Sequence, residues 1–385
     1  MRSVYFDCNA TTPLDPGVRE AMLPFLGDIF GNPSSVHHAG RKARALLDDA
    51  RDKVASVWAC KPSEVVFTSG GTESSNLAVL GTARHLRAKG RHIICSAIEH
   101  HAVLSPCEYL AHNEGFELTI LPVNQQGFVD PEAVGRSIRT DTILVSVMAA
   151  NNETGAIQPV STIGQICRER GVLFHTDAVQ WIGKEPFDTI QQFNADLVSV
   201  CAHKFYGPKG AGCLYIRSPL HPDPILLGGS HENERRAGTE NLAAIAGFAE
   251  ATVRFTKTPV FPGIQLTSLT QQLAESLRPL VDVGVALRSP ASNRLSNTVA
   301  VTVRGCDSLS LLAGLDLEGI CASSGSACSS GSLEPSHVML ALGLSLTEAQ
   351  SLIRFSLGRD STLEQVQYVT SAFERVVRRV QSAPL

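Results

Sequence analysis

Cys328 stands inside Ala322-Ser-Ser-Gly-Ser-Ala-Cys-Ser-Ser-Gly-Ser332, where the other ten residues are all Ala, Ser or Gly. Such a stretch has almost no apolar surface to bury and loses much backbone entropy on ordering. A cysteine used as core filler would sit among Leu, Ile and Val. This one reads as a sulfur presented on a soft tether, with a Ser/Gly linker that happens to contain a thiol as the plain alternative. Ser69-Gly-Gly-Thr-Glu73 sits between a strand pattern and a helix pattern. There, glycines let backbone N–H groups approach an anion and a helix N-terminus adds a favourable dipole. Asp177 follows the strand pattern Val172 to Thr176, and Gln180 is three residues on. A carboxylate at that sheet edge can pair with a protonated ring nitrogen. His203-Lys204 follows another strand pattern, and a lysine buried at a strand end is a candidate Schiff-base amine. Taken singly, these are as easily an N-cap, a loop aspartate and a solvated lysine. Taken in this order along one α/β pattern, they are the set needed to hold pyridoxal phosphate: an anion anchor, an acid partner for the pyridine nitrogen and an amine for the aldehyde.

Composition limits the alternatives. At 385 residues the chain suits a large domain plus a smaller one. Hydrophobic content of 43%, charge of 18% and a net charge of -4 describe a globular protein without a nucleic-acid footprint. No run approaches the roughly 18 apolar residues of a membrane span. The segment Met1 to Asp7 reads as the start of a strand rather than a signal peptide. The ten cysteines contain no C-x-x-C pair, so most read as reduced, buried small hydrophobes in a cytoplasmic protein.

The elements that must position these residues alternate. An amphipathic helix over 41–58 is followed by a strand at Glu64 to Thr68 and a helix from the Gly-Gly turn to about Ala88. Strands are expected at His92 to Ile98, Phe116 to Pro122, Thr142 to Ala149, Val172 to Thr176, Asp196 to Cys201 and Gly212 to Ile216. Helices near 101–113 and 161–170 fall between them. This rhythm predicts a large, mainly parallel, doubly wound α/β domain over residues 15–255. After Pro259 and Pro262 the texture changes. A long helix, strands near 298–304 and 352–357 around the Cys328 stretch, and a last helix from about Thr362 to Gln381 predict a smaller α+β domain over 256–385, completed by residues 1–14.

The motifs together resemble a known family. DCNATTP at 7–13, FGNPSSVH at 30–37, TSGGTES at 68–74, EHHAVL at 99–104, NNETG at 151–155, HTDAVQ at 175–180, AHKFYGPKG at 202–210, RRAGTEN at 235–241, SSGSACSS at 323–330 and RFSLGR at 354–359 are similar to those of cysteine desulfurases of the NifS/IscS type. These belong to the class V aminotransferase group of fold-type I pyridoxal phosphate enzymes. The resemblance runs from Val4 to about Thr362, and the SSGSAC form resembles the longer-loop subgroup. It implies that Lys204 carries the cofactor and Asp177 pairs with its ring nitrogen. It implies that His100 stacks on the ring and transfers protons, and that Gln180 bonds the ring oxygen. Gly71, Thr72 and His203 would hold the phosphate, with Cys201 at a contact position where serine is usual. Thr239 would reach the phosphate in a partner subunit, making the protein a homodimer with shared active sites. Asn152 and Arg354 would hold the substrate carboxylate. Cys328 would be the nucleophile that takes sulfur from L-cysteine as a persulfide, releasing L-alanine and passing sulfur to an acceptor protein. His100 would be the base that deprotonates it. Cys8, in DCNATT, departs from the usual pattern and reads as a packed small residue or a second thiol. Two other functions remain open from sequence: a β-lyase or selenocysteine lyase that does without Cys328, and a cofactor-loaded sulfur-relay partner with little turnover.

Overall fold

The structure, a computed structural model, describes residues 3–325 and 334–382; Cys328 lies outside the described residues. Seven strands form its main sheet. They are β2 (Val65–Thr68), β3 (His92–Ser96), β4 (Glu117–Leu121), β5 (Thr142–Ser146), β6 (Leu173–Asp177), β7 (Leu197–Cys201) and β8 (Gly212–Ile216), following β1 (Val4–Tyr5), which lies elsewhere. Their order is β2-β8-β7-β6-β5-β3-β4, and β8 alone runs antiparallel to its neighbours. Every residue of β2, β3, β5, β7 and β8 is buried. That is what a parallel sheet covered on both faces requires. Successive side chains along a strand point to opposite faces, and the apolar core divides accordingly. Val65, Phe67, Ile94, Val145 and Val198 join one cluster, while Val66, Ile93, Cys95, Leu144 and Leu197 join the other.

Helices close both faces. His38–Trp58 and Leu242–Phe255 pack together, and Phe248 takes edge contacts from Trp58, Phe67 and Phe205 at 6.1–6.2 Å between ring centres. A second, antiparallel sheet has the order β12-β10-β9, from β9 (Val285–Leu287), β10 (Thr298–Val303) and β12 (Ile353–Ser356). The chain's first strand joins this end of the sequence: β1 pairs in parallel with β11 (Ile320–Cys321), and Asp7 bridges to Ser356. The last helix, Leu363–Ser382, buries Val366, Val369, Phe373 and Val376, with Phe373 against Phe355. No helix among the described residues is long and apolar enough to cross a membrane.

Three expectations need adjustment. β6 runs one residue further than the apolar run, because Asp177 still pairs with Ser199 in the ladder. Asp177 is therefore the last residue of the strand rather than the first after it. The helix opened by the Gly-Gly turn passes through a wider π turn at Leu77–Gly81 and ends at Leu86. Helices at Pro131–Ser137 and Ser308–Leu317 add to the expected set. The second is apolar nearly all round and so has no stripe to read.

Candidate active site

Strand ends build the site. β6 and β7 are neighbours that end at Asp177 and Cys201, and β2, parallel to them across β8, leads into Gly71 and Thr72. Parallel strands open their carboxyl ends to one side, so the residues that follow converge there. A cavity of about 220 Å³ lies at this edge, bordered by Gly71, Thr72, His100, Asn152, Asp177, Gln180, Cys201, His203, Lys204 and Arg354. Of the described residues singled out from sequence, Thr239 is not among them; Cys328 lies outside the described residues. Thr239 is exposed at the rim of a separate cavity of about 680 Å³. The segment leading to Thr239 is pinned by buried Glu232, which pairs with Arg51 at 2.6 Å and accepts from the Phe67 N–H.

Lys204 Nζ donates to the carbonyls of Asn9 at 2.8 Å and Ala10 at 2.6 Å. Burial holds its pKa below the usual lysine value, and Arg354 pushes the same way. Asp177 is buried and accepts the Val179 N–H at 2.9 Å. Burial raises it to about 6 against the opposing pull of Lys204. Among the described residues no Lys or Arg forms an ion pair with Asp177. It is a carboxylate without a bonded cation. His203 is pushed down to about 4 by burial and by Lys204, and its Nδ1 lies 3.1 Å from Thr11 Oγ1.

His100 caps the helix His101–Asn113. Its Nδ1 accepts the Ala102 N–H at 3.0 Å, which leaves the proton of the neutral ring on Nε2. Burial, aided by Lys204, lowers its pKa to about 4, so the ring is neutral at ordinary pH. Gly71 and His203 point their N–H groups at the Cys201 sulfur, but burial dominates and pushes that thiol up to about 11. A Cβ at Gly71 would stand 2.8 Å from Val179 Cγ2, so this turn can approach a ligand only as glycine.

Arg354 is fully buried. One terminal nitrogen donates to the carbonyls of Asn152 and Gly325, both at 3.1 Å, and the other to Asp7 Oδ1 at 2.8 Å. Its Nε has no partner among the described residues. Arg354 also exchanges backbone hydrogen bonds with Ser323. The stretch that carries Cys328 is thus anchored on its near side to a wall of the cavity. On its far side, Ser336 Oγ bonds Glu153, His337 Nε2 donates to the Glu99 carbonyl at 2.8 Å, and the His337 ring lies 4.7 Å from His101. Cys8 does not border the cavity. It is packed, with burial pushing its thiol up to about 12.

Asn9 and Lys184 were not anticipated. Asn9 is the hub of the floor: its carbonyl accepts from Lys204 and Gln180, and its Nδ2 donates to the Asn152 carbonyl and Thr298 Oγ1. Its only sequence signal is membership of the DCNATT stretch. The set as a whole suits a ligand with an anion at one end, a basic ring nitrogen near Asp177 and an electrophilic carbon near Lys204.

The class-V aminotransferase family matches residues 4–369. A cysteine desulfurase IscS from Dictyoglomus turgidum is 46% identical over 382 residues, covering 99% of this chain and 96% of that protein. A solved NifS-like protein superposes with a TM-score of 0.90 at 36% identity, covering 98% of this chain and all of the other. A structure described as SspA in complex with cysteine matches with a TM-score of 0.81 at 35% identity, covering 93% and 99% of the two chains. The chain belongs to the class-V aminotransferases, among the cysteine desulfurases of the NifS/IscS type.

Proposed function

We propose that the chain is a pyridoxal phosphate-dependent cysteine desulfurase. It takes the sulfur of L-cysteine onto Cys328 as a persulfide, releases L-alanine and hands the sulfur to iron–sulfur cluster assembly or another thio-cofactor route. The observation that carries this reading is the Arg354 guanidinium. It borders the cavity and also bonds the carbonyl of Gly325, three residues before Cys328. A substrate carboxylate gripped there would lie beside the root of the nucleophile's own stretch.

Class-V aminotransferases use pyridoxal phosphate, and the donor set fits it. Gly71, Thr72 and His203 would hold the phosphate, Asp177 the ring nitrogen, Gln180 the ring oxygen, His100 the ring face and Lys204 the aldehyde carbon. When bound, pyridoxal phosphate supplies an electron-withdrawing ring that weakens bonds at the substrate's α-carbon. Lys204, whose pKa burial lowers, takes up the α-proton. Asn152 and Arg354 orient the carboxylate. The Cys328 thiolate attacks the substrate sulfur: a sulfur–sulfur bond forms, and the pair of the carbon–sulfur bond leaves with the carbon. His100 holds a proton at Nε2. Acting as base for Cys328 requires it to release its Nδ1 cap or exchange tautomer.

Thr239 would complete the phosphate site of a second copy in a homodimer. Its exposure away from its own chain's cavity supports this, as do exposed Phe30, Val36 and Leu227, each two residues in sequence from the lining of the larger cavity. The nine described cysteines are all free, which suits the reducing cytoplasm. The pairing of β1 with β11 supports a division into residues 15–255 and a smaller unit of 1–14 with 256–385. The test is brief incubation of the purified protein with L-cysteine. One added sulfur on the Cys328 peptide and stoichiometric alanine are expected. Pyruvate with ammonia, or full turnover in Cys328→Ala, would overturn the reading in favour of β-elimination.

A further inference from the structure

Lys184 is 2% exposed, and no carboxylate pairs with it among the described residues. Its Nζ donates to Asn9 Oδ1 at 2.6 Å and to Gln180 Oε1 at 2.5 Å, and lies 5.1 Å from the centre of the Phe261 ring. Gly183 makes this placement possible. Its φ is +78°, and a Cβ there would stand 2.4 Å from Phe205 Cβ, on the residue after Lys204. A lysine without an anion is costly to bury, and burial drives its pKa well down. The charged and titratable groups that act on it are Lys204, Cys8, Arg354 and Glu185. None of them takes its hydrogen bonds. Both go to amide oxygens.

An amide has one acceptor end and one donor end. A lysine amine that donates to Gln180 Oε1 therefore turns Nε2 the other way. One N–H of Nε2 then meets the Asn9 carbonyl at 3.0 Å, the one acceptor it has among the described residues, and the Gln180 side chain borders the cavity. The same amine fixes Asn9, whose Oδ1 also accepts from Asn297, so that its Nδ2 faces Asn152 and Thr298. We propose that Lys184 is a positioning residue that holds the Gln180 amide with its N–H toward the bound cofactor's ring oxygen. The inference rests on the role given to Gln180 above.

The experiment follows the visible absorbance of holoenzyme against pH in Lys184→Met, Gln180→Ala and the double variant. A ring oxygen that loses a donor holds its neighbouring proton more tightly. The midpoint should therefore rise by about half a unit to one unit in Lys184→Met, the size expected from one hydrogen bond. The double variant should move no further than Gln180→Ala. Should Lys184→Met lose its cofactor or its fold, Lys184→Gln, which keeps an N–H donor, is expected to hold the parental midpoint. An unmoved midpoint in Lys184→Met, or one shifted in Lys184→Gln, while Gln180→Ala moves it, overturns the inference. So does an equal Lys184→Met shift with and without the Gln180 side chain, which would mark a long-range charge. If Gln180→Ala itself does nothing, the assignment of Gln180 fails first and the inference falls with it.

Discussion

Glu99→Gln should flatten the alkaline side of the protein's stability profile. The Glu99 side chain is fully buried beside His100. Oε1 accepts from Ser96 Oγ at 2.5 Å and from the Met148 N–H at 2.9 Å, and Oε2 has no partner among the described residues. Burial raises its pKa from 4.5 to about 8, and the charge of Asp177 adds to the effect. Between those two values the native state keeps a proton that the unfolded chain has lost. The unfolding free energy therefore falls as pH rises, by up to about 1.4 kcal/mol per unit. The contribution is complete below about pH 4.5 and gone above about pH 8. From pH 6 to 8 the loss amounts to roughly 2–3 kcal/mol, less whatever water penetration relieves. Glutamine has no proton to lose. Its amide carries a fixed cost of about 1–3 kcal/mol if one N–H stays unbonded, but that cost does not vary with pH. The readout is therefore the difference in thermal midpoint between variant and parent, at matched protein and cofactor concentration, from pH 6 to 9. It should grow in the variant's favour by a few degrees and level off above pH 8. Parallel curves across that range would refute the claim that the native carboxyl is protonated.

Other perturbations follow from the same geometry. His100, His175 and His203 are held neutral, at about 4, 3 and 4, with burial the leading cause. At these three sites the native state thus binds fewer protons than the unfolded chain below about pH 6.5, so their contribution to stability should fall from there toward pH 4, against the opposite trend of Glu99 and Asp177. An unfolding midpoint whose pH dependence between 6.5 and 4 is unchanged in His175→Gln would contradict this. Gly71→Ala forces its Cβ to within 2.8 Å of Val179 Cγ2 and should weaken cofactor binding about tenfold with the fold retained. Absorbance titration of the apoprotein checks it. Arg354→Lys cannot serve Asp7, Asn152 and Gly325 together with a substrate carboxylate, so KM for L-cysteine should rise by about 100-fold. An unchanged KM would remove Arg354 from substrate binding.

What could be read in the sequence is what local pattern encodes. The strands of the main sheet were legible because each is a short apolar run ended by turn residues, and Asp177 and Lys204 were legible because they sit at or just past such ends. Gly71 and Thr72 followed from the Gly-Gly turn before a helix. His100 and Arg354 had no local signal and were reached only through the family resemblance. Asn9 contacts Gln180 and Lys204 across 171 and 195 residues, a pairing that no spacing announces. Lys184 and Glu99 look like ordinary surface charges in sequence, and only packing reveals that both are enclosed. The cap that fixes the His100 tautomer depends on where the following helix begins, a boundary that periodicity leaves uncertain by a residue or two.

The buried charges share one physical logic. Burial raises Asp177 and lowers Lys204 and Lys184, so each is driven toward its neutral form. A packed core would gain nothing from such groups, and apolar residues of the same size would be at least as stable. They make sense if the missing charges arrive with a ligand. A cationic ring nitrogen beside Asp177 would return that carboxylate toward its usual pKa, and an anion at Gly71, Thr72 and His203 would compensate the surplus of lysine and arginine. Ligand binding and protonation are then one linked event, so cofactor affinity must depend on pH even where no residue that touches the cofactor is altered. Asn9 joins Lys184, Gln180, Lys204 and Asn152 by direct hydrogen bonds, and so the ionisations of Lys184 and Lys204 are felt by one another through a short path rather than through solvent.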